Sequence, residues 1–184
     1  MTKEELIKKI QTAFKDVKLE DGIGLWEAQG VDEYADNKKM AELRAKDERN
    51  NWENLSYKDM AFCSSSLSFF DAKGMRFCLP KFLIFDLLKE EVFEEYNLYA
   101  PEVLFTLGYR LDEDYQKKRY SLFNKEQINA VITYLEYGLQ EIIDGYEEYS
   151  KLFGCAPETL YTDYDYLEFK RMIEEWTEMG KGRG

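Results

Sequence analysis

The chain has 184 residues, with 37 acidic and 25 basic side chains, no histidine and a formal net charge of −12 at pH 7. That length fits one domain, and 45% apolar residues are enough for a buried core, which argues against disorder. The absence of histidine excludes serine–histidine and cysteine–histidine catalytic pairs and every metal site with an imidazole ligand. The negative charge disfavours binding to nucleic acid or to anionic lipid.

The pattern of cysteines and apolar residues predicts a cytoplasmic protein without a membrane partner. Three widely spaced cysteines, Cys63, Cys78 and Cys155, are an odd number and form no C-x-x-C motif, as expected in a reducing compartment. Charged residues interrupt the N-terminus, so it does not resemble a signal peptide. The longest apolar stretch, Met75–Leu88, contains charges and a proline and is too short to span a bilayer.

The first quarter of the chain predicts three helices. Thr2 and Glu5 have the spacing of a capping box, and apolar residues then recur at helical spacing as far as Phe14. A second, short helix is predicted over Leu25–Ala35. The mostly charged segment Asn37–Arg49 is predicted to be an exposed helix.

The middle of the chain predicts two further helices joined by a linker. Ser56–Phe70 begins with a capping serine and has one apolar face, so it is predicted as a helix that ends before Gly74. A short extended linker then leads to Pro80, which suits the first turn of a helix. That helix, Lys81–Tyr96, is apolar nearly all round in its first half and is predicted to be central and buried.

After the second proline the pattern changes from helical to β-prone. Val103–Leu107 predicts a strand and Tyr120–Phe123 its antiparallel partner, which gives one short β-hairpin near 103–123. Asn124 with Gln127 then forms a second capping box, and the apolar residues that follow predict a long amphipathic helix.

The C-terminal part predicts one more helix after a break at Gly154–Pro157. This helix begins at Thr162 or Asp163, and its predicted buried stripe consists of Leu167, Met172, Ile173 and Trp176. The predicted fold class is therefore mainly α. We expect a single helical domain, 1–180, of about six to seven helices, followed by a flexible tail, 181–184.

Three segments resemble a known but uncharacterised bacterial family. They are Phe69–Pro80, with a G-x-R-F-x-L-P pattern, Ser121–Gln127, with an L-F-x-x-E-Q pattern, and the helix around Tyr134–Tyr137. The resemblance spans roughly residues 5–180 and implies a bacterial cytoplasmic protein. It transfers no activity and no catalytic residue. The acidic stretch after Glu141 is less similar, so a function located there would be particular to this protein.

Several motifs have both a chemical and a structural interpretation, and the structural one is favoured for each. Arg76 suits an anion anchor, but pairing with an internal acid is the better prediction. Cys63 and Cys78 lie among apolar residues, which favours inert burial. The run Ser64–Ser66 has no partner histidine and no nucleophile motif, which favours close packing.

No metal or cofactor site is predicted. Asp163, Asp165 and Glu174 match positions 1, 3 and 12 of a calcium loop, but Leu167 and Glu168 occupy the places of a ligand and of the required glycine. The sequence contains no glycine-rich phosphate-binding motif. We therefore assign no catalytic, cofactor-binding or metal-binding residues.

The C-terminal charge distribution carries the functional prediction. Residues 141–179 contain 11 acidic and three basic side chains, a net charge of −8, interleaved with five tyrosines and one tryptophan. Carboxylates steer a basic partner and aromatic rings supply contact area. The predicted contacts lie on both sides of the break: Glu147, Glu148, Tyr149, Asp163, Tyr164 and Asp165.

These features predict an acidic, non-enzymatic binding protein of the immunity or antitoxin kind, whose partner is a basic toxin such as a nuclease. Two alternatives stay open at this point. One is an enzyme that acts on a small molecule with Asp, Glu, Arg and Tyr side chains around Arg76. The other is a structural or adaptor module.

Overall fold

The computed structural model describes residues 1–154 and 157–182, except for the side chains of Pro157 and Glu158. Within these ranges the chain forms ten α-helices and no strand. The helices are α1 (Lys3–Ala13), α2 (Leu25–Asp32), α3 (Asn37–Arg44), α4 (Tyr57–Phe62), α5 (Ala72–Leu87), α6 (Lys89–Tyr96), α7 (Val103–Gly108), α8 (Asp114–Arg119), α9 (Lys125–Phe153) and α10 (Tyr164–Lys181). Short 3₁₀ helices occupy Trp52–Asn54, Ser66–Ser68 and Pro157–Thr162.

The prediction of a mainly helical fold is confirmed, with more helices than the six or seven expected. Contacts divide the chain into two compact units. The larger unit is 7–123, and the hairpin unit comprises 1–6 and 124–184. The predictions of a single domain over 1–180 and of a flexible tail over 181–184 remain predictions.

Lys181 is the last residue of α10. Cys155 lies outside the residues that the structure describes.

The predicted β-hairpin near 103–123 is wrong. Val103–Leu107 lies in the helix α7, where Val103, Thr106 and Leu107 are buried at the i, i+3, i+4 spacing of one helical face. The predicted partner strand, Tyr120–Phe123, is a turn after α8, and the Tyr120 hydroxyl donates to the Thr106 carbonyl oxygen over 2.9 Å. Short apolar runs suit a strand and a buried helix equally, and here tertiary packing decides for helix.

The predicted linker before Pro80 is also wrong, because α5 begins at Ala72 and contains the proline in its interior. Asp71 starts the helix by accepting a hydrogen bond from the Gly74 amide at 2.7 Å. An internal proline removes one backbone hydrogen bond and costs about 3 kcal/mol. Eleven of the sixteen residues of α5 are buried, and this burial outweighs the local cost of the proline.

The predicted helix Ser56–Phe70 begins as expected but ends at Phe62. The serines that follow bind α2 instead of continuing the helix. Ser66 donates to the Leu25 carbonyl oxygen at 2.7 Å, and Ser65 donates to the carboxylate of Asp32 at 2.8 Å. Serine side chains compete with helical geometry in this way. The serine run therefore joins two elements of the larger unit.

A buried cation ties the same region to α8. The guanidinium of Arg119 donates to the backbone carbonyl oxygens of Leu67 and Phe70 and to the side-chain oxygen of Gln116. Among the described residues it has no carboxylate partner, and it is 5% exposed. Three hydrogen bonds satisfy a charge that would otherwise be costly to bury.

A second buried charge, on a residue distant in sequence, caps the N-terminus of α2. Asp47 accepts hydrogen bonds from the amides of Trp26 at 2.7 Å and Glu27 at 3.4 Å, at the N-terminus of that helix. Its carboxylate lies against Gly24, where a Cβ atom would overlap it. Burial raises the pKa of Asp47 to about 6, because desolvation outweighs the two backbone hydrogen bonds that favour the carboxylate.

This pKa makes the stability of the fold depend on pH. Between about pH 4 and pH 6 the folded protein retains a proton on Asp47 that the unfolded chain has released. The stabilisation that this proton gives the folded state is therefore lost as the pH rises through 6. Relative to Asp47→Asn, we expect the free energy of unfolding of the unmodified protein to fall by about 1 kcal/mol between pH 5 and pH 7. Urea unfolding at both pH values measures this difference.

Glu48→Gln is the matched control for this prediction. The amide of Asn50 donates to Glu48 and lowers the pKa of that carboxyl, so its contribution changes only under more acidic conditions. We expect Glu48→Gln to keep the pH dependence of the unmodified protein between pH 5 and pH 7. Equal pH slopes for Asp47→Asn and the unmodified protein would show that Asp47 is ionised throughout this range.

Candidate interaction surface at the end of the helical hairpin

Helices α9 and α10 form an antiparallel hairpin, and two glycines set its register. A Cβ atom on Gly138 would lie 2.5 Å from Cε1 of Phe169, and one on Gly180 would lie 3.3 Å from Cγ2 of Ile128. Residue numbers therefore rise along α9 as they fall along α10. The capping box predicted at Asn124 is present and starts α9. The buried apolar side chains of the two helices include Ile128, Val131, Leu135, Phe169, Met172 and Trp176.

Helix α9 extends beyond the beginning of α10. From the contact between Gly138 and Phe169, α9 continues for about 22 Å to Phe153, whereas α10 continues for only about 8 Å to Tyr164. The 3₁₀ helix Pro157–Thr162 contacts both helices, and Leu160 is buried there. The last turns of α9 therefore have no helical partner along α10.

Large apolar side chains remain exposed at this end of the hairpin. We define the hairpin end by six such side chains with exposed fractions from 51% to 75%: Tyr149, Leu152, Phe153, Tyr161, Tyr164 and Leu167. The rings of Tyr149 and Phe153 pack with centroids 4.6 Å apart, and the ring of Tyr161 meets that of Tyr166 edge-on at 5.6 Å. Neighbouring rings hold one another in place while their outer surfaces stay accessible.

The six residues predicted as contacts lie at this end of the hairpin and are all exposed. Glu147, Glu148 and Tyr149 are consecutive on α9, so their side chains point in different directions around the helix. Asp163 caps α10 by accepting a hydrogen bond from the Tyr166 amide at 3.1 Å. Asp163 therefore has a structural role as a helix cap. The sequence alone does not show whether such a residue also binds a partner.

One predicted residue of the buried stripe is misplaced. Leu167 is 51% exposed, and Phe169 occupies the interface with α9 instead. Sequence reasoning also missed Leu152 and Phe153 as surface residues. The sequence feature that could have indicated their exposure is an apolar pair directly before Gly154. This glycine ends α9 in a left-handed conformation with φ of 70°.

Two basic side chains of residues 141–179, Arg171 and Lys151, are paired with acidic side chains of the same segment. Arg171 lies 2.5 Å from Glu168 and 2.8 Å from Glu175, and these carboxylates raise the pKa of Arg171. Its guanidinium in turn lowers the pKa of Glu168. Lys151 lies 3.8 Å from the carboxylate of Glu147. The negative charge of the segment is therefore only partly neutralised from within.

The other motifs take their structural interpretation. Arg76 faces a carboxylate oxygen of Glu20 at 3.4 Å and the Leu122 carbonyl oxygen at 3.5 Å. Cys63 and Cys78 are buried, which raises the pKa of both thiols, to about 12 for Cys63. No group of three or more Cys, Asp or Glu residues within 1–154 and 157–182 is arranged to hold a metal ion. None of the helices in these ranges combines the length and apolar character needed to cross a bilayer.

Comparison with known proteins places most of this chain in one family. The model of a family of unknown function, DUF6714, matches residues 2–150. The chain belongs to the DUF6714 family. The prediction of a family without an established function is thereby confirmed. No curated protein and no solved structure matches the chain.

The DUF6714 match ends inside α9, three residues before that helix does. Glu147, Glu148 and Tyr149 are the last predicted contacts within it. The 3₁₀ helix Pro157–Thr162 and the whole of α10 lie outside the matched part. Of the six side chains that define the hairpin end, all but Tyr149 therefore lie beyond the DUF6714 match.

The two glycines of α9 give a matched test of the hairpin. A methyl group on Gly138 meets the Phe169 ring, whereas one on Gly145 meets no atom within 4 Å. We expect Gly138→Ala to destabilise the protein by about 1–3 kcal/mol through overpacking. Gly145→Ala should stabilise it by up to about 1 kcal/mol through helix propensity. Urea unfolding followed by circular dichroism measures both. Equal stabilities of the two variants would contradict the packing of α10 against residue 138.

Proposed function

We propose that this protein is an acidic, non-enzymatic binding protein of the immunity or antitoxin kind that acts in the cytoplasm. Its partner is a basic toxin, and the binding surface is the hairpin end. The observation that carries the proposal is the set of six exposed apolar side chains beside predicted contact carboxylates. Exposed apolar groups concentrated in one place are typical of protein–protein interfaces.

The aromatic side chains supply the expected anchors. Tyrosine is enriched among residues that dominate binding energy, because it combines a large contact area with one hydrogen-bonding group. Tyr149 is supported from below by Phe153 at 4.6 Å, so binding would require little further ordering of its ring. Tyr164 has the most exposed ring of the hairpin end, 75% accessible.

The charge indicates the kind of partner. Residues 141–179 carry a net charge of −8, which attracts a positively charged protein and repels nucleic acid and anionic lipid. A nuclease presents a basic surface because it must bind phosphate. An acidic inhibitor that covers this surface blocks substrate access by occupying the same charges.

The enzyme alternative centres on Arg76 and requires its guanidinium to bind a substrate. That guanidinium already donates to two internal acceptors, on Glu20 and Leu122. The adaptor alternative shares the hairpin end but requires no toxin. The inhibitor proposal differs from both because it predicts that binding abolishes a harmful activity of the partner.

The experiment starts with affinity capture of the partner from the source cell and proceeds to kinetics and toxicity. By surface plasmon resonance, we expect fast association at low salt that slows markedly as ionic strength rises through ~0.15 M, where the Debye length is about 8 Å. Expression of the partner alone should arrest growth, and co-expression of this protein should restore it. A partner that is harmless when expressed alone would contradict the toxin assignment.

Variants of the hairpin end separate steering from anchoring. Glu147→Lys with Glu148→Lys should slow association, because these exposed carboxylates steer the encounter, and should leave the fold intact. Tyr149→Ala or Tyr164→Ala should act on dissociation and cost about 2 kcal/mol of binding free energy.

A control pair changes the net charge equally at another place. Glu126 and Glu136 are exposed in the first half of α9, so Glu126→Lys with Glu136→Lys reverses two charges of the hairpin unit away from its end. We expect association to slow less than with the Glu147 and Glu148 pair. If both pairs slow association equally, total charge rather than this surface governs binding. If all variants bind like the unmodified protein, the interface lies elsewhere, for which the segment Asn37–Arg49 is the first candidate.

A further inference from the structure

We propose that α6 and the turn after it form a second interaction surface, which binds arginine or lysine side chains of a protein partner. Helix α6 has eight residues and buries only Val92. So short a helix gains little stability from propensity alone, and one buried side chain adds little packing. Its aromatic residues, Phe93 and Tyr96, are nevertheless exposed. Packing within the larger unit does not account for them.

The chain folds back after α6 to build an aromatic platform. Asn97 ends the helix in a left-handed conformation with φ of 55°. This turn brings the ring of Tyr99 against that of Phe93, with centroids 4.9 Å apart and planes inclined by 44°. The two rings remain 74% and 39% exposed. They therefore support each other and leave their outer surfaces to solvent.

The segment that carries the platform is rich in glutamate. This segment, 89–102, contains five glutamates and a single basic residue, a net charge of −4. The glutamates are Glu90, Glu91, Glu94, Glu95 and Glu102. The basic residue, Lys89, lies 3.7 Å from the carboxylate of Asp86, outside the segment. A basic side chain that reaches this surface meets ring faces and carboxylates together.

The larger unit already shows how its aromatic rings receive a cation. Lys46 lies over the ring of Trp26 and Lys81 over that of Tyr57, each 4.7 Å from the ring centroid. Within the described chain, no basic group lies over Phe93 or Tyr99 in this manner. An arginine of a partner would place its guanidinium on these rings and donate hydrogen bonds to a neighbouring glutamate.

A second copy of the chain fits this surface less well. A symmetric dimer brings the same patch of each copy together, so it would set five glutamates against five others. Charge complementarity therefore favours a basic partner. The surface lies within residues 2–150, which match the family, whereas five of the six side chains of the hairpin end lie outside that match. It is independent of the proposed function, and failure of either proposal leaves the other intact.

The test uses the full chain and a defined probe. A short amidated peptide in which arginine alternates with alanine is titrated into isotope-labelled protein at low salt, and amide chemical shifts are followed. We expect saturable shifts over 89–102, and none there with the same peptide carrying neutral citrulline in place of arginine. Phe93→Ala with Tyr99→Ala should weaken binding at these amides at least about fivefold, as should Glu90→Gln with Glu94→Gln.

Matched variants distinguish this surface from general attraction to an acidic protein. Tyr34 is 95% exposed and follows Glu33, so Tyr34→Ala removes an exposed ring beside an acid elsewhere in the larger unit. Glu42→Gln with Glu136→Gln removes two exposed charges outside α6. Both should leave binding at 89–102 unchanged, as should Tyr149→Ala. Three results would overturn the proposal: shifts spread evenly over acidic residues, binding that survives loss of both rings, or self-association through these rings without peptide.

Discussion

Phe169 packs closely against α9 because residue 138 has no side chain. This contact fixes the register of the two C-terminal helices, and the register determines where α10 begins relative to α9. Because α10 begins only at Tyr164, its first turn lies well short of Phe153 at the end of α9. The apolar stripe of α9 therefore extends past the helix that packs against it. The exposure of Tyr149, Leu152 and Phe153 follows from this difference in length, because these side chains lie on the last turns of α9.

The larger unit uses a different device, since its loops are held by charged side chains that bind backbone atoms. Arg119 holds the segment after α4 through two carbonyl oxygens, and Asp47 holds the first turn of α2 through two amides. Asp71 does the same for the Ile23 amide and its own helix. Such bonds satisfy backbone groups that would otherwise lack a partner.

The features predicted correctly from the sequence are those encoded within a few residues. The capping residues Thr2, Ser56, Asn124 and Asp163 start helices as expected, because a cap and its partner lie three residues apart. The linker before Pro80 and the β-hairpin near 103–123 were wrong, because burial by distant segments decides such apolar runs.

The candidate site divides in the same way. Its carboxylates and tyrosines are visible in the composition, so the six predicted contacts could be named. The exposure of its aliphatic side chains could not be predicted in this way. Leu167 is exposed only because Phe169 takes the place that faces α9. The platform on α6 depends on the left-handed turn at Asn97, which places Tyr99 on Phe93 and which no spacing rule indicates.

Burial of Cys63 and Cys78 gives the larger unit a chemical reporter of its own opening. Both thiols are inaccessible in the folded protein, and their raised pKa disfavours the reactive thiolate. In a Cys155→Ser background, alkylation of either cysteine therefore requires the larger unit to open, so the labelling rate measures how often it does. In a variant with Trp26→Phe and Trp52→Phe, the fluorescence of Trp176, which is buried on α10, reports on the hairpin unit. The two signals together would reveal whether the units unfold in one cooperative step or separately.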